Sequence, residues 1–185
     1  MISHEHKFIF IQPKKTATST LHGVLFRYMV VDYSKISRHA KYSEALELYP
    51  ESKNYFKFCF VRNPWDRIVS FYFFKKDGLA TVKIPKDMSF KQFVNLVITE
   101  HKITMPDQYG HIEGFDNFSF IGRFENLQQD FNFVCDKIGI QRQQLLHDNK
   151  TKHKHYTEYY DDETREIVAE KYARDIEYFG YKFGE

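Results

Sequence analysis

Short unbroken apolar runs alternate along this chain with polar turns that open into helix-period segments. Phe8-Ile9-Phe10-Ile11 is apolar at every position and β-prone, the pattern of a buried strand. Pro13 ends it, lysines and hydroxyl residues fill Lys14 to Thr20, and the apolar stretch from Leu21 to Val31 has helical character. Phe56 to Val61 is the next strand. Asn63-Pro64, an N-cap residue with proline at the first helical position, opens a helix to about Lys75. Ile68, Val69, Tyr72 and Phe73 form its apolar side. Ser89 predicts a cap for a helix through Thr99, with Phe90, Phe93, Val94 and Val97 at helical spacing. Pro106 to Asn117 reads as loop, and Phe118 to Ile121 as a third strand. Glu125 to Ile138 is an amphipathic helix with Leu127, Phe131, Val134 and Ile138 on one face and Gly139 just past its end. A last helix begins at Asp161 or Asp162, carries Val168, Tyr172 and Ile176 four apart, and stops at Gly180.

Strands alternating with helices predict an α/β domain with a mainly parallel sheet. The 185 residues fit one domain, spanning 1–185. In such sheets ligands bind at the carboxyl ends of strands, where loops open into helices. Both polar junctions above fall at such places.

The net charge of +2 argues against general nucleic-acid binding, which needs a strongly basic face. Cys59 and Cys135 have neither metal-ligand spacing nor the numbers of a disulfide framework, and read as buried thiols of a reducing compartment. No metal site is expected. No apolar run approaches the ~18 residues of a membrane span, and no signal-peptide pattern opens the chain, so the expectation is a cytoplasmic protein. Aromatic residues are abundant, with 19 Phe and 13 Tyr; most belong to a core, and exposed ones make flat platforms for sugars or bases.

The first junction, Gln12 to Thr20, joins a strand to a helix N-terminus, whose unpaired N–H groups and partial positive charge hold anions. Lys15 adds a full charge, and Thr16, Thr18, Ser19 and Thr20 add hydroxyls. The nucleotide P-loop GxxxxGK[ST] is absent: this loop has no glycine, and its lysines precede the hydroxyls. The residues alone fit either an anion site or an ordinary polar helix start with solvated lysines. In the second junction, Arg62 closes a strand and Ser70 lies about two helical turns on, roughly 10 Å along the axis. Asn63, Arg67 and Ser70 share a helix face. A guanidinium and a hydroxyl together suit a phosphate monoester. The other reading pairs Arg62 and Arg67 with Asp66 or further carboxylates and leaves Ser70 incidental.

Together the junctions resemble the family of sulfotransferases that use 3′-phosphoadenosine 5′-phosphosulfate (PAPS), in particular its carbohydrate-sulfotransferase branch. Pro13-Lys14-Lys15-Thr16-Ala17-Thr18-Ser19-Thr20 is similar to that family's 5′-phosphosulfate loop. Phe60-Val61-Arg62-Asn63-Pro64-Trp65-Asp66-Arg67-Ile68-Val69-Ser70-Phe71-Tyr72 is similar to its 3′-phosphate motif. Ile121 to Leu127 and Tyr159 to Tyr181 extend the likeness over nearly the whole chain. The resemblance implies a three-layer α/β sandwich with a mainly parallel central sheet, like that of the P-loop nucleoside triphosphate hydrolases. It makes Lys15 the catalytic lysine, wraps Thr16, Ala17, Thr18, Ser19 and Thr20 around the 5′ end, and gives the 3′-phosphate to Arg62 and Ser70. Two departures stand out: the extra lysine at 14, and Thr18 where many relatives have glycine.

The implied reaction is in-line displacement at sulfur by an acceptor hydroxyl, leaving 3′-phosphoadenosine 5′-phosphate (PAP), with no metal. A carbohydrate is the implied acceptor. A general base is needed, and His39 is the candidate among nine histidines, with Glu44 as fallback. Residues 77–117 are expected to shape the acceptor side. The basic, aromatic-edged run His147 to Tyr156 either closes over the nucleotide, meets an anionic acceptor, or is a solvated charge run. Two other functions compete: a nucleotide or sugar kinase, which needs the missing glycine-rich loop, and a non-catalytic nucleotide-binding module.

Overall fold

The computed structural model describes every residue except 31, 81, 114–117 and 146–152. The chain forms two compact units. The first comprises Met1–Val61 and Gln108–Asn149, the second Arg62–Asp107 and Lys150–Glu185.

The first unit is built on a four-stranded sheet in the order β1 (Ile2–Ser3), β2 (Phe8–Ile11), β3 (Phe56–Val61), β4 (Phe120–Arg123). β1 pairs antiparallel with β2; the β2–β3 and β3–β4 pairings are parallel. All four residues of β2 are buried, as the unbroken apolar run predicts. Phe8, Phe10, Phe58 and Phe60 pack in one cluster with Leu21 and Leu25 of α1 (Thr18–Leu25) and with Leu127, Phe131, Val134 and Ile138 of α5 (Leu127–Ile138). The α5 face is the one its periodicity foretells, and Gly139 caps it in the left-handed conformation, φ 71°. A short α2 (Tyr42–Leu48) precedes β3. At Gly122 the strands leave no room for a side chain, since a Cβ there would lie 2.5 Å from the Phe60 ring.

The second unit is helical. α3 (Pro64–Lys76) is capped by Asn63, whose side chain accepts from the Trp65 N–H, with Pro64 at the first helical position. α4 (Phe90–Val94) begins in a capping box between Ser89 and Gln92 and runs on as a π-turn, Asn95–Thr99. α6 (Asp162–Lys171) is capped by Asp161, and α7 (Ala173–Phe179) ends at Gly180 with φ 67°. Ile68, Val69, Phe71 and Tyr72 of α3 make a core with Phe90, Phe93, Val97, Val168 and Tyr172.

Three elements depart from the sequence pattern. The helix expected over Leu21–Val31 starts earlier, at Thr18, and gives way after Leu25 to a 3-10 turn, Phe26–Tyr28. Val30 leaves the helix because its N–H donates to the Ile2 carbonyl at 2.8 Å, a tertiary pairing that overrides local preference. The third strand sits two residues later than Phe118–Ile121. The terminal helix is two helices broken at Tyr172 (φ −111°, ψ 27°). Its hydroxyl is held by the Met105 carbonyl at 2.8 Å.

Candidate active site

In the first unit, β2 hands the chain to α1 through Gln12–Ala17. Two non-glycine residues of this loop adopt the left-handed conformation, Lys15 at φ 67° and Ala17 at φ 63°. Such backbone costs on the order of 1 kcal/mol per residue, and turns of this kind gather N–H groups into a concavity suited to anions. Thr16 is buried, and its hydroxyl donates to the Pro13 carbonyl at 2.9 Å, closing the loop on itself. Thr18, where many relatives carry glycine, is the first residue of α1; the left-handed position falls on Ala17 instead. No side chain caps the start of α1 and no acidic residue lies in its first turn. Ser19 is exposed, and Lys14, Lys15 and Thr20 are half-buried.

Arg38 and His39 meet both ends of this loop. Arg38 Nη2 donates to the Thr18 carbonyl at 2.9 Å, and its Nε reaches Gln12 Oε1 at 3.5 Å. His39 Nδ1 lies 2.7 Å from the Gln12 carbonyl oxygen. A carbonyl only accepts, so Nδ1 carries the proton and Nε2 holds the lone pair of the neutral ring, the arrangement a general base requires. Glu44 is engaged elsewhere, since its carboxylate accepts the Lys41 N–H at 2.6 Å and caps α2. The Gln12 Nε2 is buried without a hydrogen-bond partner among the described residues, which costs about 1–3 kcal/mol. His22, in α1, is shifted toward neutrality by burial and then by the nearby Arg38 charge.

In the second unit, Arg62 stands at the entrance to α3 and Ser70 is buried in its second turn. Arg62 Nε donates to Asp66 Oδ2 at 2.8 Å, so the carboxylate takes one edge of the guanidinium and holds it in place. Arg67 is different: 1% exposed, it donates to the Pro106 carbonyl at 2.6 Å, faces Asp175 at 3.5 Å and lies over the Tyr172 ring. Burial works against its charge, and Tyr172, Asp175 and Asp107 support it. The carboxylate pairing weighed from the sequence is therefore present for both arginines, and for Arg67 it is structural. Asn63 Nδ2 donates to the Lys182 carbonyl at 3.0 Å and to Tyr156 Oη at 3.3 Å. Trp65 Nε1 donates to the Arg165 carbonyl at 3.0 Å, and Tyr160 Oη to the Trp65 carbonyl at 2.9 Å. The C-terminal segment thus fastens the first turn of α3.

The structure assembles Gln12, Lys14–Thr20, Arg38 and His39 in the first unit and sets Arg62 and Ser70 at the start of α3 in the second. Residues 147–152 of the basic run lie outside the described residues. Sequence reasoning passed over Gln12 and Arg38; apart from adjacency to the loop and to His39, no local signal marks them.

The family model described as "Sulfotransferase family" matches residues 1–182. The chain belongs to the sulfotransferase family. Human carbohydrate sulfotransferase 9 is 21% identical over 215 aligned residues, covering 95% of this chain and 47% of that protein. Carbohydrate sulfotransferase 14 of Danio rerio is 23% identical over 228 residues, covering 98% of this chain and 61% of the relative. The chain thus spans about half to three-fifths of the length of these curated relatives. An uncharacterised protein of Archaeoglobus fulgidus is 33% identical over 89 residues, 46% of this chain and 69% of that protein. Among solved structures, the mouse sulfotransferase SULT7A1 in complex with PAP is similar with a TM-score of 0.60 at 14% identity, covering 91% of this chain and 85% of that one. The likeness establishes the α/β sulfotransferase fold. Among the described residues, no cluster of three His, Cys, Asp or Glu is placed to hold a metal, and no helix is long and apolar enough to cross a membrane.

Proposed function

We propose that this sulfotransferase-family chain moves a sulfuryl group from PAPS to a hydroxyl of a carbohydrate acceptor. The observation that carries this reading is the Lys14–Thr18 loop: a left-handed Lys15 and Ala17 leading from a parallel strand into a helix without a side-chain cap, in a chain of this family. The PAP held by the mouse fold relative and the names of the carbohydrate sulfotransferase relatives support the donor and the acceptor class.

Lys15 and the N–H groups of residues 16–20 surround the 5′-phosphosulfate, and Arg62 with Ser70 holds the 3′-phosphate. The acceptor oxygen attacks sulfur, the bond from sulfur to the bridging oxygen breaks, and its electron pair leaves with PAP. Lys15 stabilises the charge that grows on that oxygen. His39 Nε2 takes the acceptor proton, with Nδ1–H fixed on the Gln12 carbonyl. The two units act as one sulfotransferase domain, since the family match runs through both. A reducing, cytoplasmic setting accords with Cys59 and Cys135, both buried free thiols.

Calorimetric titration of PAP into the protein without magnesium, with adenosine 5′-phosphosulfate and ATP as controls, tests the donor assignment. Binding that depends on the 3′-phosphate is expected, followed by transfer in a glycan acceptor screen. A preference for ATP with magnesium overturns the assignment in favour of a kinase. PAP binding with no transfer to any glycan favours a non-catalytic module.

A further inference from the structure

Arg38 bonds the first residue of α1 through the Thr18 carbonyl and the last residue before the loop through the Gln12 carboxamide. Both partners are neutral oxygens, and no carboxylate pairs with Arg38 among the described residues. A half-buried guanidinium therefore stands at a helix N-terminus, the end whose dipole disfavours a cation, with no acid in the first turn of α1. Its field is felt at His22, which it helps keep neutral. An arrangement of this kind is relieved by a bound anion.

Gln12 supplies the second observation. Arg38 has only donors, so the carboxamide must turn its oxygen toward Arg38, which fixes the opposite, Nε2 edge. That nitrogen is buried and unpartnered, and orphaned buried donors are rare enough to mark a functional constraint. The backbone of the same residue accepts from His39. One residue thus connects the loop, through Arg38, to the candidate base.

We infer that Arg38 is a positioning residue of the donor loop: by holding Gln12 and Thr18 together it sets the curvature of residues 13–18 for a phosphosulfate-type anion, and through Gln12 it aligns His39. This rests on the donor reading above, in that the anion is the 5′ end of PAPS. Neither residue needs to touch the donor; both act through the loop.

The test has two arms. In the first, hydrogen exchange of the 13–18 amides is compared between wild type, Arg38→Ala and Arg38→Lys without any ligand. Faster exchange in Arg38→Ala, with an unchanged melting temperature, is expected; unchanged exchange overturns the clasp whatever the protein binds. In the second, PAP affinity and turnover are measured for the same variants and for Gln12→Met, with and without methylguanidinium. Arg38→Ala is expected to weaken PAP binding about tenfold and to lower kcat as well, with methylguanidinium restoring part of both. Arg38→Lys, which replaces one of the two bonds, falls between, and Gln12→Met gives the smaller loss with kcat affected more than PAP affinity. Wild-type affinity and turnover in Arg38→Ala, or no recovery with methylguanidinium, overturn the positioning role. If wild-type protein binds no PAP, the donor reading falls while the exchange arm still decides the clasp.

Discussion

The two junctions proposed to hold the donor are built in opposite ways. In the first, the loop after β2 relies on backbone: left-handed residues at Lys15 and Ala17, a hydroxyl folded onto the Pro13 carbonyl, and an arginine bonded to neutral oxygens. In the second, the start of α3 relies on side chains packed into place. Asp66 pins Arg62, Asp175 and Pro106 enclose Arg67, and the C-terminal segment bonds to Asn63 and Trp65. Backbone donors set in advance around a developing charge suit the reacting end, whereas an arginine pinned by a carboxylate suits a phosphate that only has to be gripped. The proposed division of labour, chemistry at the first and binding at the second, follows that difference.

The contrast can be broken most forcefully at Asp175. Asp175→Ala strands the buried Arg67 charge and is expected to cost on the order of 3–5 kcal/mol, read as a shift in the urea midpoint. A change near zero would mean that the second unit does not depend on its enclosed pair. Next comes Lys15→Ala, expected to lower kcat by on the order of a hundredfold while PAP affinity falls far less. Arg62→Ala is expected to do the reverse, weakening PAP by about 2 kcal/mol in calorimetry. Equal losses in both quantities for both variants would erase the division of labour. Gly122→Ala, which drives a Cβ against the Phe60 ring, should cost about 1–3 kcal/mol of thermal stability and place the rigidity of the first unit in its sheet. Smallest is Ala17→Gly: removing the left-handed strain is expected to raise stability by about 1 kcal/mol or less, measured as a small rise in Tm.

What was legible in the sequence was local. Phe56–Val61 and the Asn63-Pro64 start of α3 stand where the apolar run and the cap chemistry put them, and the buried face of α5 is the one its period marks. Features that depend on distant partners were not legible. β1 is two residues long and exists by pairing with β2 and Val30. Tyr172, where the terminal helix breaks, bonds to the distant Met105, and the structural role of Arg67 rests on Asp175. At the candidate site, Lys15, Arg62 and Ser70 stood out because motif and junction coincide. Arg38 and Gln12 did not, because a clasp between residues 26 positions apart leaves no periodic trace.

The enclosed pair in the second unit also has a consequence in time. Arg67 belongs to the middle of the chain and Asp175 to its final helix, so during synthesis a charge destined for the interior emerges long before its counterion. The pair therefore ties α3 to α7: undocking α7 parts Arg67 from Asp175 and leaves the guanidinium to the Pro106 carbonyl and the nearby Asp107 charge.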